Sequence, residues 1–250
     1  MANWNDPQRT RPGFGTSEGF SGASVPRTRE VFDAGLRSYM LSIYNYMTSG
    51  VLLTGVVALL TAQSGLAITF ASGPLMWLVA LSPLAIVMAM SFGANRFSTT
   101  ALRAMFWGFA VLMGLSLSTI FLVYTGSSIA ATFFATAGAF AGLSLFGYTT
   151  KKDLSAFGTF LIMGVVGLII AMVVNMFLRS TGLDLAISFL GVLIFAGLTA
   201  WDTQRLKASY AQLRGTEFAG KMVVLGALSL YLDFINMFLF LLRFMGNNRS

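Results

Sequence analysis

The chain has 250 residues, of which 56% are hydrophobic and only 10% charged, with a formal net charge of +7. Soluble domains carry roughly a quarter charged residues, so this composition belongs to a membrane protein. Cysteine and histidine are both absent, which excludes disulfides, thiol nucleophiles, thiolate or imidazole metal sites and imidazole acid–base chemistry.

Taken in chain order, residues 1 to about 28 are rich in Gly, Ser, Pro and charge. They cannot bury enough apolar surface to offset the entropy of ordering, and are expected to form a disordered cytosolic tail ahead of a transmembrane domain over 29–250. No apolar core followed by a small-residue cleavage site occurs in that tail, so the first span is expected to direct insertion itself. Seven long apolar runs follow, near 39–62, 75–94, 104–124, 128–148, 157–178, 185–201 and 222–245. Each approaches the roughly 20 residues that a helix needs to cross about 30 Å of hydrocarbon. The turns between them are short, which makes consecutive spans antiparallel neighbours in one all-α bundle.

Arg9, Arg11, Arg27, Arg29 and Arg37 precede the first span, Arg96 and Arg103 follow the second, Lys151 and Lys152 the fourth, and Arg205, Lys207, Arg214 and Lys221 the sixth. Only Arg179, Arg243 and Arg249 fall on the other side, so the positive-inside rule places the N-terminus in the cytosol and the C-terminus outside. The same rule explains the net charge without invoking nucleic acid. Gly138 with Gly142, and Gly164 with Gly167, are candidates for close helix approach in lipid. Asn175 is expected to satisfy a neighbouring helix, the stretch from Tyr44 to Tyr46 to form an interfacial belt, and Lys151, Lys152 and Asp153 to form a solvated turn.

Acidic residues are rare in the spans: Asp184 at the outer end of the sixth, Asp202 at its inner end and Asp233 near the middle of the seventh. An ionised carboxylate at mid-membrane costs about 3 kcal/mol on insertion scales, so Asp233 is expected to face the bundle interior. Ser229, four residues earlier, and Asn236, three later, place a narrow polar stripe beside it. Thr199 lies about one turn before Asp202, with Arg205 close by as a charge partner. Should the two aspartates face each other across adjacent helices, they would share a proton and titrate as a coupled pair. Their oxygens would suit a hard cation such as Ca²⁺. Without histidine or cysteine, a carboxyl is the group left to sense pH near neutrality.

The run Ser229-Leu230-Tyr231-Leu232-Asp233-Phe234-Ile235-Asn236, continuing to Leu241-Leu242-Arg243-Phe244, closely resembles the Bax inhibitor-1 family and its bacterial YccA-like members. The likeness extends to Asp202-Thr203-Gln204 and to Lys151-Lys152-Asp153-Leu154-Ser155, and covers most of the chain after residue 30. The resemblance implies six helices around a central seventh, with Asp202 and Asp233 as a di-aspartyl, pH-dependent latch on the cytosolic side for a cation leak, most plausibly of Ca²⁺. It further implies limitation of cell death and, in bacteria, restraint of a membrane-bound ATP-dependent protease from the inner membrane. Some relatives carry a glutamate and an arginine in the second span that assist the latch; here Leu81-Ser82-Pro83-Leu84 has no acid, and the resemblance makes Arg96, close to where that arginine would fall, a second candidate charge partner. An intramembrane aspartyl protease would need Gly-x-Gly-Asp, but Leu230-Tyr231-Leu232 precedes Asp233. The expectation is therefore a pH-sensitive cation leak protein without enzymatic activity or bound cofactor, and the alternative a regulator that binds a membrane partner.

Overall fold

The computed structural model describes residues 24–71 and 73–247. Residues 1–23 of the expected tail, with Arg9 and Arg11, lie outside the described residues, as does Arg249. The chain forms two units. In the first, which ends at Gly35, the described residues are the opening turns of helix α1, and the second, Leu36–Ser250, holds the bundle.

Among the described residues the regular structure is entirely helical: α1 Ser24–Gln63, α2 Leu66–Phe70, α3 Pro74–Gly93, α4 Thr99–Leu117, α5 Ile120–Val123, α6 Gly126–Thr149, α7 Ser155–Leu178, α8 Thr181–Leu213 and α9 Phe218–Met245. Seven segments are long and apolar enough to cross a membrane, the third of them built from α4 and α5 together. The break between those two has a local cause. Ser118 Oγ donates to the Leu115 carbonyl at 2.6 Å and Thr119 Oγ1 to the Ser116 carbonyl at 3.1 Å, side-chain bonds that compete with the helical ladder. Helix starts are marked by hydroxyl caps: Ser98 accepts from the Ala101 amide, Thr125 from that of Ser128 and Ser180 from that of Leu183.

Helix α9 lies at the centre. Two-thirds (67%) of its apolar window is buried, against 39% or less in every other span, and it packs on α4, α6 and α8. Its contacts with α8 run antiparallel, through Asp184–Arg243, Gly191–Phe240, Asp202–Ser229 and Leu206–Gly226. Helix α7 is the most lipid-facing, with Phe160, Ile170, Met176 and Phe177 exposed along it. Lipid, as apolar as these side chains, covers such a face without penalty.

Close helix approach occurs at glycines other than those expected. A Cβ on Gly138, Gly142 or Gly167 would meet open space, and only Gly164 is tight, 3.0 Å from Ile194. The crowded positions include Gly114, Gly191, Gly197 and Gly226, and two near Asp202: Gly147, whose Cβ would strike the Ala200 backbone, and Gly158, whose Cβ would strike the Trp201 ring. Gly147 and Gly158 bring α8 close to α6 and α7 beside Asp202. Four-residue spacing identifies a helix face but not which face meets another helix.

Tyr231 ties α9 to two further helices. Thr54 Oγ1 donates to the Ala110 carbonyl at 2.8 Å, so its single hydrogen is used and Tyr231 Oη must donate to Thr54 at 2.7 Å. Tyr231→Phe leaves only a lone pair empty, whereas Thr54→Val strands a buried hydroxyl donor. Thr54→Val is therefore expected to cost about 1–3 kcal/mol and Tyr231→Phe about 1 kcal/mol, with thermal unfolding in detergent micelles giving the order.

Candidate functional site: a carboxyl pair between the last two helices

Asp202 lies well inside α8. The apolar run ends at Trp201, but the helix continues to Leu213, and Asp202 is only 4% exposed. The continuation is stable because polar side chains beyond Trp201 find partners within the bundle. Thr203 bonds Ser144 on α6 at 2.9 Å, and Lys207 Nζ donates to the Tyr148 carbonyl at 2.7 Å. Hydropathy registers these residues as a loop, although their polar atoms are paired and their stems buried.

Asp233, on the central helix, is 6% exposed, and its carboxyl lies against that of Asp202 within reach of a hydrogen bond. Ser229 Oγ donates to Asp202 Oδ2 and accepts from Arg205 Nη2 at 3.3 Å. Arg205 Nη2 lies 3.1 Å from Asp202 Oδ1. That oxygen has an ion-pair partner but no aligned hydrogen bond, and Asp233 Oδ2 is buried with no donor. Two carboxyls thus meet one guanidinium, itself about half exposed. Two adjacent carboxylates with one cation carry a net negative charge in a dry site, whereas a proton shared between them leaves the cluster neutral.

Arg205 is held by the ring of Trp201, 4.6 Å from its guanidinium carbon, and Trp201 in turn lies against Gly158 of α7. Arg96 is exposed in the turn after α3, and among the described residues no ion pair joins it to either aspartate. Thr199 and Asn236 do not reach the pair. Thr199 Oγ1 donates to the Phe195 carbonyl and Asn236 Nδ2 to the Leu232 carbonyl, both at 2.8 Å on their own helices. Asn175 accepts from the Ser180 amide at 3.0 Å, closing the α7–α8 turn instead of joining a neighbouring helix. Tyr44 bonds Ser144 across to α6.

Sequence reasoning did not anticipate Gln204. Its Oε1 accepts from the Leu154 amide at 2.8 Å and its Nε2 donates to the Lys152 carbonyl at 2.7 Å. The Lys151–Ser155 turn is thereby clamped to α8 two residues from Asp202, which brings two of the recognised sequence runs together in space. Asp153 belongs to this turn, and bonds from the side chain and backbone of Ser155 hold its carboxyl below the ordinary range. It stays ionised near neutrality and does not titrate with the pair. Gln204→Ala removes both clamp bonds, each worth about 1 kcal/mol, and is expected to speed tryptic cleavage after Lys151 and Lys152.

A helical bundle whose central helix presents a buried carboxyl to a second carboxyl and a single arginine is a polytopic integral membrane protein with an ionisable core. The family model for the inhibitor of apoptosis-promoting Bax1 matches residues 36–250, and the chain belongs to the Bax inhibitor-1 family. Its relatives include an uncharacterized protein of Caulobacter vibrioides, 47% identical over 91% of this chain and 96% of that protein. Another is the inner membrane protein YbhL of Escherichia coli, 46% identical over 86% of this chain and 94% of its own length. An uncharacterized protein of Rickettsia prowazekii is 44% identical over 88% and 94%.

Proposed function

We propose that the protein is a pH-sensitive cation leak pathway, with Ca²⁺ as the transported ion, and that Asp202 and Asp233 form its latch. The supporting observation is the ratio of charges: two buried, touching carboxyls against one arginine. With one shared proton the cluster is neutral and joins α8 to α9. Loss of that proton makes the two carboxylates repel and separates the helices at this level. Arg205, which lines a cleft of about 360 Å³ with Trp201, Lys151 and Lys152, remains the counterion of the two carboxylates at the edge of the opened seam. Hard cations take six or more oxygens, and the pair with Ser229 supplies too few for tight retention, as suits an ion in transit.

The basic ends of α1, α6 and α8 are assigned to the cytosol on the positive-inside rule, in a bacterial inner membrane as for YbhL. Ca²⁺ flux into proteoliposomes across pH, for the wild type and the two aspartate-to-asparagine variants, tests the reading. A second reading, regulation of a membrane-bound ATP-dependent protease or similar partner, draws on the Gln204 clamp, through which contact at the Lys151–Ser155 turn would be felt beside Asp202. Flux that is absent at every pH in a folded protein would favour this second reading.

A further inference from the structure

We infer that the groove between α1 and α6 is a binding site for one anionic phospholipid, with its headgroup at Arg37 and an acyl chain along the apolar floor. The groove encloses about 760 Å³, within the roughly 300–1,000 Å³ typical of small-molecule sites. Its α1 wall runs from Arg37 to Leu52, about 22 Å at 1.5 Å per residue. That length exceeds half of an approximately 30 Å hydrocarbon core, so a chain from a single leaflet fits. Val51, Phe140 and Phe234 make the inner part apolar, with Phe234 contributed by the central helix.

Charge selects the headgroup. Arg37 is exposed at the rim, and among the described residues no carboxylate pairs with it. Tyr148 lines the same end of the groove, and Lys207 lies 4.6 Å from the centre of its ring. The Arg37 guanidinium at the mouth of an apolar trough, with the Lys207 ammonium behind Tyr148, complements a phosphate ester carrying a hydrocarbon chain, and neither a neutral lipid nor a purely apolar partner uses that charge. The groove is also wired to the bundle interior: Tyr44 and Ser144, both in its wall, are hydrogen-bonded to each other, and Ser144 continues to Thr203 beside Asp202. A lipid seated there is therefore one hydrogen-bonded step, through Ser144, from Thr203 next to the first carboxyl.

Native mass spectrometry of the delipidated full chain, titrated with phosphatidylglycerol and separately with phosphatidylcholine, tests the site. One phosphatidylglycerol per chain is expected to be retained in preference to phosphatidylcholine. Arg37→Gln is expected to lower that retention about fivefold, the effect of one cation near a headgroup. Ala141→Trp, which fills the groove from an exposed position on its α6 wall, should abolish it without lowering the melting temperature. Equal retention of both lipids, unchanged by either substitution, would mean annular lipid only and overturn the proposal. A dimer that Ala141→Trp dissociates would assign the groove to a second copy and overturn it equally.

Discussion

Asp233→Asn is expected to leave Ca²⁺ flux low and flat between about pH 5 and 8, where wild-type flux climbs by about tenfold or more as the pH rises. The direction follows from proton counting. With one proton shared, the cluster of Asp202, Asp233 and Arg205 is neutral. When that proton leaves, two unit charges about 4 Å apart repel by roughly 4 kcal/mol at an effective dielectric constant of 20. A tenfold change needs only about 1.4 kcal/mol, so a latch that converts a third of this repulsion into opening meets the expectation. Asparagine is nearly isosteric with aspartate and carries a permanent donor, so it mimics the protonated acid. Asp202 keeps its ion pair with Arg205 at 3.1 Å, and the cluster stays neutral at every pH. Asp202→Asn also removes the shared proton and flattens the profile, but it frees Arg205 from its counterion. A wild-type flux that does not vary with pH, or an Asp233→Asn profile that still rises, would defeat the latch.

The spans were legible because an apolar run long enough to cross a bilayer has few other outcomes, and α3, α6, α7 and α9 begin and end within a few residues of the expected limits. The departures have physical causes. Hydropathy stops at Trp201 because Asp202, Thr203, Arg205 and Lys207 are polar, yet their partners on α6 and α9 carry α8 to Leu213. At the other end of the chain α1 already begins at Ser24, well before the apolar run near 39. Asp233 could be placed in the interior from sequence, since its insertion cost permits little else. Asp202 could not, because its burial depends on a partner 27 residues away: Ser229, assigned by spacing to the stripe of Asp233, gives its hydrogen to Asp202. Thr199 and Asn236 share helix faces with the aspartates but turn their donors to their own backbones. Spacing along one helix gives the facing direction of a side chain, and the choice among competing acceptors is made only when helices meet.

Arg205→Gln is expected to destabilise the folded protein by about 1–3 kcal/mol, and Asp202→Asn in the same chain to recover most of that loss. The magnitude turns on an asymmetry within the ion pair. Arg205 is 47% exposed at its side chain, Asp202 only 6%. A pair exposed on both sides contributes about 0–1 kcal/mol, because water screens both charges and solvates whichever partner is left. Here the arginine can be solvated after substitution but the carboxylate cannot, and an unpaired buried charge accounts for most of the cost when one partner of a buried pair is removed. Glutamine also weakens the donation to Ser229 and forfeits the cation–π contact with Trp201, worth about 0.5–1 kcal/mol at a partly exposed site. Asp202→Asn cannot restore those contacts, so the rescue should be incomplete. Chemical denaturation of the single and double variants in micelles gives the coupling energy directly. A cost below 1 kcal/mol with no rescue would make Arg205 a surface charge and remove the single cation on which the neutrality of the latch depends. A full cost with rescue would establish that the carboxyl pair relies on this arginine while it holds α8 against the central helix.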